Sequence, residues 1–165
     1  MTEKRARHPE YREAKAAAIR LLAHRARTRG YLEQRLRGKG LAAEAVEEAL
    51  GDLESAGYVN DEQYARDRID ALLRKSKQGP FALTHKLVQE HVDGDIAERV
   101  VHETLRDEDL SEWAREVAAE RSRRLRDLDP ETARRRLYGY LKRRGFSNDH
   151  CMNAVDEALA QLGEE

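Results

Sequence analysis

A single pattern of apolar positions occurs three times in this chain, and it leaves few folds open. Leu32, Leu36 and Leu41 are followed without a gap by Val46, Ala49, Leu50 and Leu53. Shifted by 51 residues, the same offsets carry Leu83, Leu87, Val92, Ala97, Val100, Val101 and Thr104. Shifted by 105, they carry Leu137, Leu141, Phe146, Cys151, Ala154, Val155 and Ala158. Of these 21 positions 20 are apolar, and Thr104 is the exception. A pair four apart, then a set at i, i+3, i+4 and i+7, describes two helices that each bury one stripe. A period of about 50 residues is the mark of a repeat architecture. A less well aligned helix is expected before each pair, over Glu10–Arg27, Glu62–Lys77 and Glu112–Arg126. No alternating strand pattern is present. The expected fold is all-α, with three tandem three-helix-bundle repeats at 10–59, 60–109 and 110–165 after a flexible N-terminal segment, 1–9.

The residues between the stripes agree with this division. Pro80 and Pro130 fall where the second helix of repeats two and three would begin, a position that lacks an intrahelical acceptor for the missing N–H. Asp129 is placed to cap the helix after it, and Asp93 and Ser147 to cap the last helices of repeats two and three. Ala42 holds the corresponding place in repeat one and has no capping atom, so a frayed start is expected there. Gly40 and Gly145, in "LRGKGL" and "LKRRGF", suit a left-handed residue at a helix C-terminus. Repeat two has His91 instead, at some cost in strain.

Composition adds bounds. Charged residues are 38% and hydrophobic residues 39% of the 165, a balance that favours exposed helices over one thick core. No apolar run is long enough to span a membrane, and "MTEKRARHPEYREAK" lacks a signal-peptide core. With Cys151 alone, no intrachain disulfide can form, and the cytoplasm is the expected compartment. The net charge of −1 hides segregation. Residues 1–40 carry 12 basic and 4 acidic side chains, and 41–64 carry none and 7. Residues 65–92 carry 6 and 3, 93–112 carry 2 and 8, 113–145 carry 11 and 5, and 146–165 none and 5. Each repeat therefore runs from basic first and second helices to an acidic third.

The order of motifs resembles that of the RecX family, regulatory proteins that act on the RecA recombinase. The resemblance rests on "LEQRLRGKGL", "AVEEALGDLESAGYVNDEQYA", "KSKQGPFALTHKLVQEHV" and "DPETARRRLYGYLKRRGFSNDHCMNAVDEAL", and covers roughly residues 17 to 162. His91 departs from the family's glycine, and Ala42 from its capping residue. The resemblance implies an elongated, curved array of the three repeats. It implies binding within the groove of the RecA filament on single-stranded DNA. It also implies inhibition of ATP hydrolysis, strand exchange and co-protease activity, and so a part in homologous recombination, DNA repair and the SOS response.

If like helices fall beside like, one edge presents Arg25, Arg27, Arg29, Arg35, Arg37 and Lys39, then Arg74, Lys75, Lys77 and Lys86. It continues with Arg121, Arg123, Arg124, Arg134, Arg135, Lys142, Arg143 and Arg144. Closely spaced cations suit a phosphate backbone and read no sequence. The plainer reading is that "RSRRLR" is a solvated helix face and that basic and acidic helices pair with each other. Tyr58 and Val59 are expected to close the first bundle. Tyr138 and Tyr140 either stack on bases or fill the core. Competing functions are sequence-independent DNA binding and a helical scaffold for another protein. A helix-turn-helix reader is disfavoured by the acidic last helices. No catalytic residue is expected. "GKG" lacks the remaining residues of a phosphate loop, the six histidines lack metal spacing, and no cofactor is implied. Cys151 aligns with core positions. The chain is expected to act as a monomer.

Overall fold

The computed structural model describes residues 8–164, and most of the expected N-terminal segment lies outside them. The described residues form nine helices and no strand. These are α1 (Tyr11–Leu22), α2 (Arg29–Arg37), α3 (Ala43–Ser55), α4 (Asp61–Leu73), α5 (Pro80–Gln89), α6 (Gly94–Thr104), α7 (Leu110–Ser122), α8 (Pro130–Arg143) and α9 (Asn148–Glu164). The fold is all-α and built of three-helix repeats.

All 20 apolar repeat positions are buried. Thr104 is half-buried, its hydroxyl donating to the Val100 carbonyl at 2.8 Å, and Leu105 beside it is buried. Each buried leucine contributes about 1.5–3 kcal/mol. The first helices carry small residues on their inner faces, Ala14, Ala17 and Ala18 in α1, Ala114 and Ala118 in α7, so the third helix of the same repeat can approach closely. Cys151 is a core residue, with burial pushing its thiol pKa up.

The helix ends correct four expectations. Helices α1, α4 and α7 stop at Leu22, Leu73 and Ser122, four or five residues before the expected Arg27, Lys77 and Arg126. The connecting chain is needed to swing Thr28, Gly79 and Asp129 into the N-cap positions of α2, α5 and α8. The start of α3 does not fray. Glu10 reaches across from the start of α1, and its carboxylate accepts the Ala42 N–H at 2.6 Å. That places negative charge at the positive end of α3. The expected caps are present: Asp129 accepts from Thr132 at 2.9 Å, Asp93 from Asp95 at 3.0 Å, and Ser147 from His150 at 3.2 Å. After α3, Gly57 is left-handed (φ 79). This turns Val59 into the core and leaves Tyr58 69% exposed, so only Val59 closes the bundle.

The chain divides into two compact units. Unit 1 runs to Asp67 and includes Leu87–Ala97, and unit 2 comprises Arg68–Lys86 and the chain from Glu98. Helices α4, α5 and α6 each contribute residues to both.

Within each unit the N-terminus of one second helix meets the C-terminus of another. In unit 1 the Thr28 hydroxyl donates to the Glu90 carbonyl at 2.9 Å and accepts from Tyr31 N–H at 3.2 Å. In unit 2 the Gly79 N–H donates to the Arg144 carbonyl at 2.8 Å, and the Phe81 N–H to the Gly145 carbonyl at 3.2 Å. Glu90 and Arg144 hold the same place in their repeats. Positive and negative helix ends thus satisfy each other's unpaired backbone groups. The approach is close. A Cβ on Gly30 would lie 2.7 Å from the His91 carbonyl oxygen, and one on Gly145 would overlap the Ala82 backbone nitrogen. Gly145 has φ 85, and His91 takes the same left-handed form with φ 65.

Urea denaturation tests this joint. Gly145→Ala is expected to cost at least about 2 kcal/mol, from left-handed strain and overlap. Gly51→Ala, in mid-helix with nothing within 4 Å of a new Cβ, is expected to stabilise by about 0.5–1 kcal/mol. His91→Gly is expected to raise stability by up to about 1 kcal/mol as its strain is relieved.

Candidate nucleic-acid interface

The expected basic residues separate into those the fold uses and those it leaves to solvent. In unit 1, Arg29 belongs to the fold. Its guanidinium pairs with Glu47 at 2.7 Å, Glu54 at 3.1 Å and Glu33 at 3.6 Å, and its side chain is 24% exposed. The hydrogen bond to Glu47 is the chief cause raising its pKa further. Its backbone N–H donates at 2.8 Å to Asp61, whose carboxyl is pushed above its ordinary range, chiefly by burial. Arg37 makes an exposed pair with Glu33 at 3.6 Å. Arg27 stacks on Tyr31, 4.5 Å from the ring centroid, with its Nε buried and unpartnered. Arg25, Arg35 and Lys39 are exposed, and their side chains have no partner among the described residues.

In unit 2, Lys77 pairs with Glu116 and lies 5.6 Å from the Trp113 ring centroid. Arg134 pairs with Asp156. Lys142 donates to Asn148 Oδ1 at 2.8 Å, and Arg144 to the Tyr140 hydroxyl at 2.8 Å and the Lys77 carbonyl at 3.4 Å. Arg121 stacks on Tyr140 at 5.0 Å. Arg74, Lys75, Lys86, Arg123, Arg124, Arg135 and Arg143 are exposed and unpaired among the described residues. Tyr138 packs against the core and donates to Asn148 at 3.2 Å, and the Tyr140 ring has two guanidiniums near it, Arg121 at 5.0 Å and Arg144 at 5.2 Å from its centroid. The aromatic left open to solvent in this region is Phe81, 65% exposed, which the sequence reading did not single out. Its place directly after the Gly-Pro start of α5 was the available signal.

The acidic third helices are largely turned to their neighbours. Glu47 and Glu54 hold Arg29, Asp52 holds Lys15, Asp156 holds Arg134, and Glu157 holds Arg115 at 3.2 Å. Much of the acidic surface is therefore neutralised by cations of the same unit. Among the described residues, no His, Cys, Asp and Glu cluster suits a metal ion, and no helix is long and apolar enough to cross a membrane.

Three-helix repeats that bury one repeated stripe and leave part of their cations unpaired define a helical repeat protein with basic surface in each unit. The comparisons with known proteins make this specific. Residues 14–53 match the family model described as RecX, first three-helix domain, and residues 107–155 that of RecX, third three-helix domain. The chain is 36% identical over 157 residues to the regulatory protein RecX of Amycolatopsis mediterranei, covering 94% of this chain and 88% of that one. It is 32% identical to the regulatory protein RecX of Streptomyces coelicolor, covering 93% and 81%. The crystal structure of RecX from Lactobacillus salivarius shares the fold, with a TM-score of 0.76 over 90% of this chain and 96% of that one, at 22% identity. The chain belongs to the RecX family of regulatory proteins.

The two kinds of cation should separate in a thermal or urea melt. Arg29→Gln is expected to destabilise by about 0.5–1 kcal/mol, because it removes the pairs with Glu33, Glu47 and Glu54 at once. Arg123→Gln and Arg124→Gln are each expected to change stability by less than about 0.5 kcal/mol.

Proposed function

We propose that this protein binds the RecA filament formed on single-stranded DNA and restrains its ATP hydrolysis, strand exchange and co-protease activity. It would thereby regulate recombination, repair and the SOS response. The observation that carries this reading is the family match in register along nearly the whole chain. The charge distribution supports it. Ten of the eighteen expected cations have no partner among the described residues, and they occur in both units. A phosphate backbone draws on such cations without reading sequence. The protein acts as a single chain in the cytoplasm, and the repeats at 10–59, 60–109 and 110–165 act as successive contact modules. No catalytic group takes part.

The test is single-stranded-DNA-dependent ATP hydrolysis by RecA of the same organism, with this protein titrated in. Hydrolysis is expected to fall at protein concentrations too low to occupy bare DNA. Unchanged hydrolysis alongside salt-sensitive DNA binding would favour sequence-independent DNA binding. No effect of DNA on any property would favour a scaffold for another partner. Changing Arg123, Arg124 and Arg143 together to Glu is expected to weaken inhibition at least tenfold while circular dichroism stays unchanged. Lys142 and Arg144 are poorer choices for charge reversal, since each also makes contacts within the fold.

A further inference from the structure

The cluster around the C-terminus of α8 is unlike the other charged clusters of unit 2. Half-buried cations elsewhere in that unit are neutralised: Lys77 by Glu116, and Arg115 by Glu112 and Glu157. Arg121 and Arg144 are also half-buried, yet neither has a carboxylate partner among the described residues. They are held 5.0 Å and 5.2 Å from the centroid of the same Tyr140 ring. The tyrosine hydroxyl and the Lys77 carbonyl fix the Arg144 guanidinium, and Arg121 keeps its N–H donors unengaged. Two ordered guanidiniums with no counter-ion form a preorganised anion site. An exposed aromatic ring adjoins it. The Phe81 N–H donates to the carbonyl of Gly145, the residue after Arg144, and the Phe81 ring is 65% exposed with the Lys142 ammonium 5.9 Å from its centroid. Lys142 too has no carboxylate partner; it donates to Asn148.

We propose that this cluster binds one nucleotide unit of single-stranded DNA, with the base stacked on Phe81 and the adjoining phosphodiester on Arg121 and Arg144. This rests on the reading that the protein works on single-stranded DNA, and it assigns the residues that grip the strand. The charge identifies a polyanion. The open ring selects the single strand, since a duplex keeps its base faces stacked inside. Tyr140 is a positioning residue: its ring centroid lies within 5.2 Å of both guanidiniums, so it orders the arginines and takes no base. Lys142 helps to draw the strand towards Phe81.

The experiment uses the full chain, with fluorescence anisotropy on two probes over a salt series. One probe is a short oligothymidylate, and the other an abasic deoxyribose-phosphate oligomer of the same length and charge. Phe81→Ala is expected to weaken oligothymidylate binding about tenfold, within the range for loss of one stacked base, and to leave the abasic probe unchanged. Arg121→Gln and Arg144→Gln are each expected to lower the slope of log K against log salt by about one on both probes. Tyr58→Ala, an exposed aromatic in the other unit, is expected to change neither. Arg121→Gln removes no hydrogen bond, so it serves if Arg144→Gln perturbs the fold, with a thermal melt as the check. Equal loss on both probes with Phe81→Ala, or no loss on either, would overturn the base contact. Unaltered salt slopes in both arginine variants would overturn the phosphate contact. Failure of the wild-type chain to bind either probe at low salt would overturn the whole site. RecA ATP hydrolysis is measured in parallel. If inhibition persists while these binding effects are absent, the nucleotide site alone is wrong. If inhibition by the wild type is itself missing, the filament reading fails.

Discussion

The meeting of helix ends is the constraint on which the other features depend. Each repeat is too small to bury much apolar surface, and the alanines on the inner faces of α1 and α7 reduce the gain further. What holds second helices together within a unit is backbone chemistry at Thr28 and Glu90, and at Gly79 and Arg144. In unit 2 backbone N–H groups at the start of α5 meet carbonyls at the end of α8, and in unit 1 the Thr28 hydroxyl, which caps α2, meets the Glu90 carbonyl at the end of α5. This demands close backbone approach, which Gly30, Gly79 and Gly145 permit. It also demands a left-handed residue at the receiving end, which His91 and Gly145 supply. The early ends of α1 and α4 follow, because the chain must be free to bring Thr28 and Gly79 into the joint.

Charge is organised around the same scaffold. The near-neutral total conceals two populations of cations. One is fastened to carboxylates inside a unit, with Arg29 the fullest example. The other, including Arg35, Lys39, Arg123, Arg124 and Arg143, has no such partner among the described residues. The first population pairs with carboxylates of the acidic helices, among them Glu47, Glu54, Asp156 and Glu157. The second remains to act outside the molecule. Under the function proposed above, it is this second population that would meet the phosphate backbone.

The repeated stripe was legible because burial imposes a period, and a period survives in sequence. All 20 apolar positions chosen on spacing are buried. The caps at Asp93, Asp129 and Ser147, and the left-handed form of Gly40, Gly145 and His91, were legible because local backbone geometry selects few residue types. Three things were hidden. The ends of the first helices were hidden because "AHRARTR" contains no breaker, and a tertiary demand terminates α1. The rescue of α3 by Glu10 was hidden because 32 residues separate the partners. The sorting of the basic residues was hidden because an arginine looks the same in sequence whether a carboxylate meets it or not. Tyr58 and Phe81 show a related limit: in a pattern of large apolar residues, an exposed aromatic cannot be told from a buried one by type.

The joint is directional, and it leaves the end of α2 and the start of α8 outside it. The left-handed turn at Gly40, after α2, has nothing within 4 Å of where a Cβ would stand, and its neighbours Arg37 and Lys39 place positive charge at that helix end. At the start of α8, the N–H of Thr132 is taken by the carboxylate of Asp129 in its own chain. A head-to-tail contact of this kind has a direction but no built-in closure. Asp129 thus provides for an N–H at the start of α8 from within its own repeat, and the basic residues oppose the negative end of the α2 dipole.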